Sequence, residues 1–287
     1  MSLTNVTAHS VQWQSYRSAF EFFKKYLKVT LQLACGLLLP VLLLGVWYVA
    51  TVQHWLPEQI LPAPQLVWST TVELWQSGDL QFHFATSAKR IFWSVSLGVS
   101  LGLSLGIWFA LSQRAQRFVL PSIHLLTQFP IIGWIPLLMI FLGIDEALKI
   151  VAISLAVISP VLIATFKGIQ QVPNSLLEVA QVYQFSKLQT FSKVILPTSL
   201  PAIISGLRQG VMQAWLALVF VELLASSEGI GFLMVWGRQL MQMDIIFMGI
   251  ILIGITGFVL DSVLAAFERL ARFYATRVGA NHVRTQS

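Results

Sequence analysis

The residues best suited to chemistry in this chain are few and far apart. Glu222 and Asp261 lie inside apolar stretches. A carboxylate at such a depth is expensive and faces either protein or water. Glu222 therefore lines a path or a gate, or it pairs with Arg238 or a backbone group as plain structure. Asp261 reads as structural, near Arg208. Gln128, Trp134, Gln213 and Trp215 are polar or aromatic residues in apolar surroundings and are candidates for a pathway. A hydrolytic alternative would place a Ser and a His together at depth. Ser205 and His124 are the available pair, but no G-x-S-x-G surrounds Ser205. One Cys leaves no internal disulfide framework and no Cys-based metal site. No G-x-x-x-x-G-K-[ST] occurs, so any ATP is bound by another chain.

The elements that hold these residues follow from composition. Of 287 residues, 56% are hydrophobic and 10% are charged, and the mean hydropathy is +0.75. A soluble domain carries roughly a quarter of its residues as charges. Ten per cent cannot cover a water-facing surface, and disorder is excluded by the same imbalance. The formal charge of +6 fits Lys and Arg held on the cytoplasmic side of a membrane, with no nucleic-acid partner.

A spanning helix needs about 20 mostly apolar residues. Six stretches qualify: Leu31 to Thr51, Ile91 to Leu111, Phe118 to Leu142, Leu148 to Phe166, Pro201 to Ala225 and Ile245 to Phe267. The first follows Arg17, Lys24, Lys25 and Lys28 and reads as an uncleaved span rather than a signal peptide. The third holds Pro130 and Pro136 and is expected to be kinked or broken. With the N-terminus inside, only Lys89, Arg90, Lys149 and Arg238 of the 18 Lys and Arg fall outside, so both termini are expected in the cytoplasm.

Between the first two spans, Gln65 to Gln76 predicts a short amphipathic helix at the outer interface, with Trp68 and Trp75 at headgroup level and Gly78 as its stop. Gly98, Gly102 and Gly106 form a four-residue stripe, read as packing within one bundle ahead of a dimer seam. The cytoplasmic stretch from Lys167 to Leu200 is too long for a hairpin. Ser175 and Glu178 have capping-box spacing, which predicts a helix beginning near Leu176. Leu176, Val179, Ala180 and Tyr183 make that helix unusually apolar, so it either folds back on its own bundle or enters a groove on another protein.

The stretch LEVAQVYQFSKLQTFSKVILP, Leu177 to Pro197, resembles the EAA loop of ABC importer permeases. The matching positions are Glu178, Ala180, Leu196 and Pro197, with Val179 and Val194 as apolar replacements. Gln184 stands where the family has Gly, so the turn there either takes another shape or puts Gln184 under strain. The resemblance is to the nitrate, sulfonate and taurine branch, nearest the aliphatic sulfonate permeases. It also rests on LPAPQLVW at Leu61, HFATSAKR at His83, WIPLLMIFLGIDEALKI at Trp134, LPTSLPAIISGLR at Leu196 and ELLASSEGIGFL at Glu222.

The resemblance implies an all-α integral membrane protein of the type I importer fold in a bacterial inner membrane. A cytoplasmic segment 1–30 precedes a transmembrane domain 31–275, and a cytoplasmic tail 276–287 follows. It implies a homodimeric pore for a small anion such as a sulfonate or taurine, two ATPase subunits carrying ATP and Mg, and a periplasmic or lipid-anchored solute-binding protein. This chain would hold no cofactor, would be surrounded by membrane lipid, and would be a pore subunit rather than an enzyme. Ser175, Leu176, Glu178, Val179, Ala180, Tyr183, Gln184, Leu196 and Pro197 would couple to the ATPase through the loop 173–197. Glu178 either caps its helix or meets a basic group on the ATPase. Glu228, Gly229, Gly231 and Arg238 form a connector or a surface for the binding protein. A stand-alone secondary transporter is the rival, disfavoured because no internal repeat is visible.

Overall fold

A computed structural model describes residue 36 and residues 38–284, with side chains described through residue 272 apart from 124 and 126. The segment 1–30, the start of the first expected span and the His124 side chain lie outside this description. Every regular element among the described residues is helical. Contacts divide the chain into two units, Met1–Leu66 and Val67–Ser287.

In the first unit, helix α1 (Leu38–Val52) is apolar and uncharged. Its Trp47 indole N–H donates to the Pro62 carbonyl at 3.0 Å, tying the following loop back to the helix. Helix α2 (Pro64–Ser77) matches the amphipathic helix expected from the sequence and carries the boundary between the units.

The second unit is a bundle built on helix α7 (Glu146–Gln170). Helix α3 (Asp79–Leu111) packs along one side of it and helix α10 (Leu196–Ala225) along another. Helix α12 (Met243–Arg284) lies on α10 and on the short helix α11 (Ile230–Gln239). Ala152, Ile153, Val157, Val161 and Leu162 of α7 are fully buried. The glycine stripe of α3 explains the closeness. A Cβ on Gly102 would lie 2.9 Å from the Val161 Cβ, and the Gly98 and Gly106 positions meet Val157 and Thr165 in the same way. The stripe packs within one chain, as the sequence suggested. Small residues let two backbones approach where apolar side chains gain nothing by leaving lipid.

Helix α3 begins at Asp79, a full three turns before the expected start at Ile91. Its cap is Gly78 at φ 90°, a conformation that favours glycine, so this residue both stops α2 and starts α3. The third expected span is not one helix. After the short helix α4 (Gln113–Phe118), it is broken into α5 (Leu120–Thr127) and α6 (Ile131–Leu142). The break at Pro130 is extended, with φ −63° and ψ 139°, whereas Pro136 is accommodated inside α6. Twelve residues of α helix rise about 18 Å, too little to cross hydrocarbon alone. Four helical stretches among the described residues are long and apolar enough to cross: Asp79–Leu111, Glu146–Gln170, Lys187–Gln239 and Met243–Arg272. Among the described residues the six expected stretches appear as four long helices, the short α1 and, as its prolines led one to expect, a broken third segment. Helix α12 runs on to Arg284, so most of the stretch set aside as a tail is helix.

Candidate functional site

The loop between α7 and α10 carries helix α8 (Asn174–Val182). It starts two residues earlier than the Ser175 spacing implied, because Pro173 at φ −60° and ψ 135° turns the chain into the helix. Pro173 is the cap residue and no side chain caps this end, so Ser175 and Glu178 do not form the expected capping box. A capping box does form further on. Ser186 accepts from the Gln189 N–H at 3.3 Å and donates its own N–H to the Gln189 side chain at 2.9 Å, opening helix α9 (Lys187–Thr190). A π-helical turn, Phe191–Ile195, then leads into α10, with Leu196 and Pro197 at its start.

The end of α8 answers the question posed by Gln184. The Phe185 N–H donates to the Ala180 carbonyl and the Gln184 N–H to the Gln181 carbonyl, both at 2.9 Å. These are the two bonds of a Schellman motif, whose C′ residue is usually glycine. Gln184 occupies that position at φ 51°, so the turn keeps its shape and Gln184 bears the strain. On α8, Ala180 is buried while Leu176, Val179 and Tyr183 form an exposed stripe at helical spacing, with Val182 beside it. Val179 is 52% exposed, Tyr183 64% and Val182 80%. The helix is not folded into its own bundle. Its apolar stripe is therefore left uncovered by the rest of the described chain.

At the far end of the bundle sits a buried ionic cluster that the sequence did not reveal. The Arg90 guanidinium donates Nη1 to Glu222 at 2.8 Å and to the Glu228 carbonyl at 2.7 Å. Its Nε and Nη2 form a fork on Glu146 at 2.9 and 2.6 Å. Lys149 adds a 2.7 Å bridge to Glu146. Glu222 also accepts from Ser87 Oγ and from the Gly231 N–H at 2.9 Å. The Gly229 N–H donates to His83 Nδ1 at 2.9 Å. Two cations and two carboxylates thus tie α3, α7, α10 and the start of α11 together.

Glu222 pairs with Arg90 and a backbone amide, not with Arg238, which is exposed near the end of α11. Gly229, at φ 108°, lies against the Glu222 carboxylate with no room for a Cβ, and Gly231 packs on the Glu222 Cβ. Of the expected binding-protein contacts, Glu228, Gly229 and Gly231 lie at this cluster, while Arg238 stands apart. The missed signal was in the spacing: Arg90, Ser94, Gly98, Gly102 and Gly106 recur every four residues, so Arg90 shares the buried face of the glycine stripe. The expectation for Asp261 holds, since Arg208 donates to it at 2.8 to 3.0 Å and also to Glu268 at 3.0 Å.

Between α5, α6, α7 and α10 opens a cleft of about 790 Å³. Trp134 and Gln213 line it, together with Gln209 and Lys167, which the sequence did not single out as pathway residues. Gln128 lies in the break before α6 and is exposed. Trp215 is buried on α10 against Gly257 of α12, and Glu222 belongs to the ionic cluster, so neither lines this cleft. No group of three or more His, Cys, Asp or Glu residues suited to a metal occurs among the described residues.

The helical bundle, with four helices among the described residues long and apolar enough to cross a membrane, is that of a polytopic membrane protein. The chain belongs to the family of binding-protein-dependent transport system inner membrane components, whose pattern matches residues 98–273. It is 38% identical over 234 residues to the "Putative aliphatic sulfonates transport permease protein SsuC" of Bacillus subtilis (strain 168), covering 82% of this chain and 85% of that one. It is 34% identical to the taurine transport system permease protein TauC of Escherichia coli (strain K12), covering 80% and 86%. Among solved structures, an amino acid ABC transporter crystallised with histidines superposes with a TM-score of 0.56 at 16% identity, covering 71% of this chain and 97% of that chain. That likeness is one of fold. The relatives are named as transport permeases, and this chain is a multi-pass inner-membrane permease of an ABC importer rather than an enzyme.

Proposed function

We propose that two copies of this chain form the pore of an ATP-driven importer for a small sulfonate-type anion, energised by two separate ATPase subunits and supplied by a solute-binding protein. The observation that carries this is the exposed apolar stripe of α8, Leu176, Val179 and Tyr183, on a chain that has no nucleotide motif of its own. An apolar helix face presented to water gains by entering a groove on a partner. ATP and Mg belong to that partner. When the ATPase pair closes, the two α8 helices move, and the bundles alternate between facing inward and outward.

Both termini are assigned to the cytoplasm, and the ionic cluster at Glu228–Gly231 to the side that meets the binding protein. The sulfonate assignment is supported by the relatives named for aliphatic sulfonates and taurine. The test is reconstitution of the chain with its ATPase and binding protein in vesicles. ATP-dependent accumulation of an alkanesulfonate is the expected result. Ion-driven flux by the chain alone would instead favour a secondary transporter.

A further inference from the structure

Helix α11 starts without a capping side chain of its own. Its first amides end instead on side chains from two other helices. The Gly229 N–H donates to His83 Nδ1 at 2.9 Å, the Ile230 N–H to Ser87 Oγ at 3.0 Å and the Gly231 N–H to Glu222 at 2.9 Å. His83 and Ser87 stand one turn apart on α3, so α3 carries two of these three acceptors. Gly229, Ile230 and Gly231 are buried, and a buried amide left without an acceptor is costly.

A neutral imidazole that accepts at Nδ1 carries its proton on Nε2, whereas an imidazolium donates at both nitrogens and accepts at neither. His83 is only half-buried, so its ring exchanges protons with the medium. The surroundings offer a cation other partners. Asp79 lies one turn earlier on the same face of α3 and Glu228 comes from the loop before α11, while the Arg90 guanidinium opposes them. From α10 comes Glu222, engaged by Arg90, Ser87 and the Gly231 amide. From α7 come Glu146 and Lys149, paired with each other, with Glu146 also on Arg90. Helix α11 itself presents the Phe232 ring, whose centroid is 5.8 Å from that of His83.

We propose that His83 is a proton-operated latch for α11: neutral, it holds the Gly229 amide and keeps the start of α11 on α3; protonated at Nδ1, it releases that amide and turns to Asp79 and Glu228. The proton comes from the medium and adds at the atom that otherwise accepts the amide. The latched state binds one proton fewer than the released state. The latch is therefore closed above the ordinary His range, near about pH 6.5, and opens as pH falls through it. It rests on the importer reading only for which medium is sensed, since the stretch Glu228 to Gly231 is assigned there to the binding protein's side.

The test is hydrogen exchange of the full chain in nanodiscs between about pH 8 and pH 5, corrected for the intrinsic pH dependence of exchange. Protection of peptides covering the start of α11 is expected to fall in the wild type by up to roughly tenfold per pH unit below the His range. His83→Asn keeps an acceptor that takes up no proton, so its protection is expected to stay level across the range. His83→Ala is expected to be unprotected at both ends of it, and His54→Asn, in the loop after α1, to follow the wild type. A level wild-type profile, a wild-type-like fall in His83→Asn, or full protection in His83→Ala would overturn the proposal. Nitrogen NMR of the histidine-labelled wild type gives a check free of folding defects. His83 is expected as the Nε2–H tautomer at the alkaline end, with Nδ1 gaining its proton over the range in which protection is lost. An Nδ1–H tautomer at the alkaline end would overturn the proposal as well. Both faces of a nanodisc meet the same buffer, so these outcomes do not depend on which side α11 faces. The importer reading is judged separately, by ATP-dependent uptake in the assembled wild-type complex.

Discussion

The Arg90 guanidinium donates to the Glu222 carboxylate at 2.8 Å, and the two residues are only 2% and 1% exposed. They are 132 positions apart in sequence and join α3 to α10. Every polar atom of the pair that the structure describes has a protein partner: Glu146 and the Glu228 carbonyl for Arg90, Ser87 and the Gly231 amide for Glu222. A buried pair of this kind fixes one arrangement of the helices more than it adds net stability.

Removing one partner leaves the other charge buried and unmatched, which typically costs about 3 kcal/mol or more. Glu222→Ala and Arg90→Met are each expected to lower the thermal midpoint of the purified chain clearly, and the double variant by less than the sum of the two. Arg208→Met, at a partly exposed pair, is expected to lower it less than Arg90→Met. Thermal unfolding of the four variants in one detergent checks this, and additive losses would show that the pair does not act as a unit.

Gly229→Ala adds a Cβ where the Glu222 carboxylate lies and forces a side chain into a positive-φ conformation. It is expected to destabilise the wild type strongly and a Glu222→Ala chain less, since the collision is then gone. Gly254→Ala, with open space around the new Cβ, is the neutral control. An equal loss in both backgrounds would mean that backbone strain alone sets the cost.

Gln184 holds the left-handed position of the Schellman turn, at a cost of about 1 kcal/mol relative to glycine. Gln184→Gly is expected to slow hydrogen exchange at the Phe185 amide, whose bond to Ala180 closes the turn. The gain is reduced by the extra freedom of glycine in the unfolded loop. Exchange as fast as in the wild type would place the strain elsewhere.

Much of the bundle was legible because α7, α10 and α12 are long apolar runs whose length alone marks them as helices crossing a membrane. The first three turns of α3 were not, because Asp79 to Arg90 contains charges that read as a water-facing flank. Of those charges Arg90 is matched by residues far along the chain, and no local pattern in the sequence states that match. Arg208 and Asp261 were paired correctly since each lies near the inner end of its own span, which leaves few other partners. The start of α8 was displaced because proline geometry at 173 outweighed the side-chain spacing of Ser175 and Glu178. The positive φ at Gln184 was foreshadowed by the glycine usual at that place in the resembling loop, but the residue type alone argued against it. Lys167 was counted only as a topology marker, and its place in the cleft emerged from the packing of α7 against α10.

The account depends most on α8 being gripped by a separate ATPase, and Val179→Asp tests that most directly. Val179 lies mid-helix on the exposed stripe, so a charge there leaves the bundle intact and spoils an apolar interface. Losing one buried anchor costs about 2 kcal/mol, near thirtyfold in affinity. The measurement is ATPase retention and solute-stimulated ATP hydrolysis by the complex purified from membranes. The account expects wild-type insertion of the Val179→Asp chain, with loss of the bound ATPase and of stimulation. Full retention of both, with the charge in place, would contradict it.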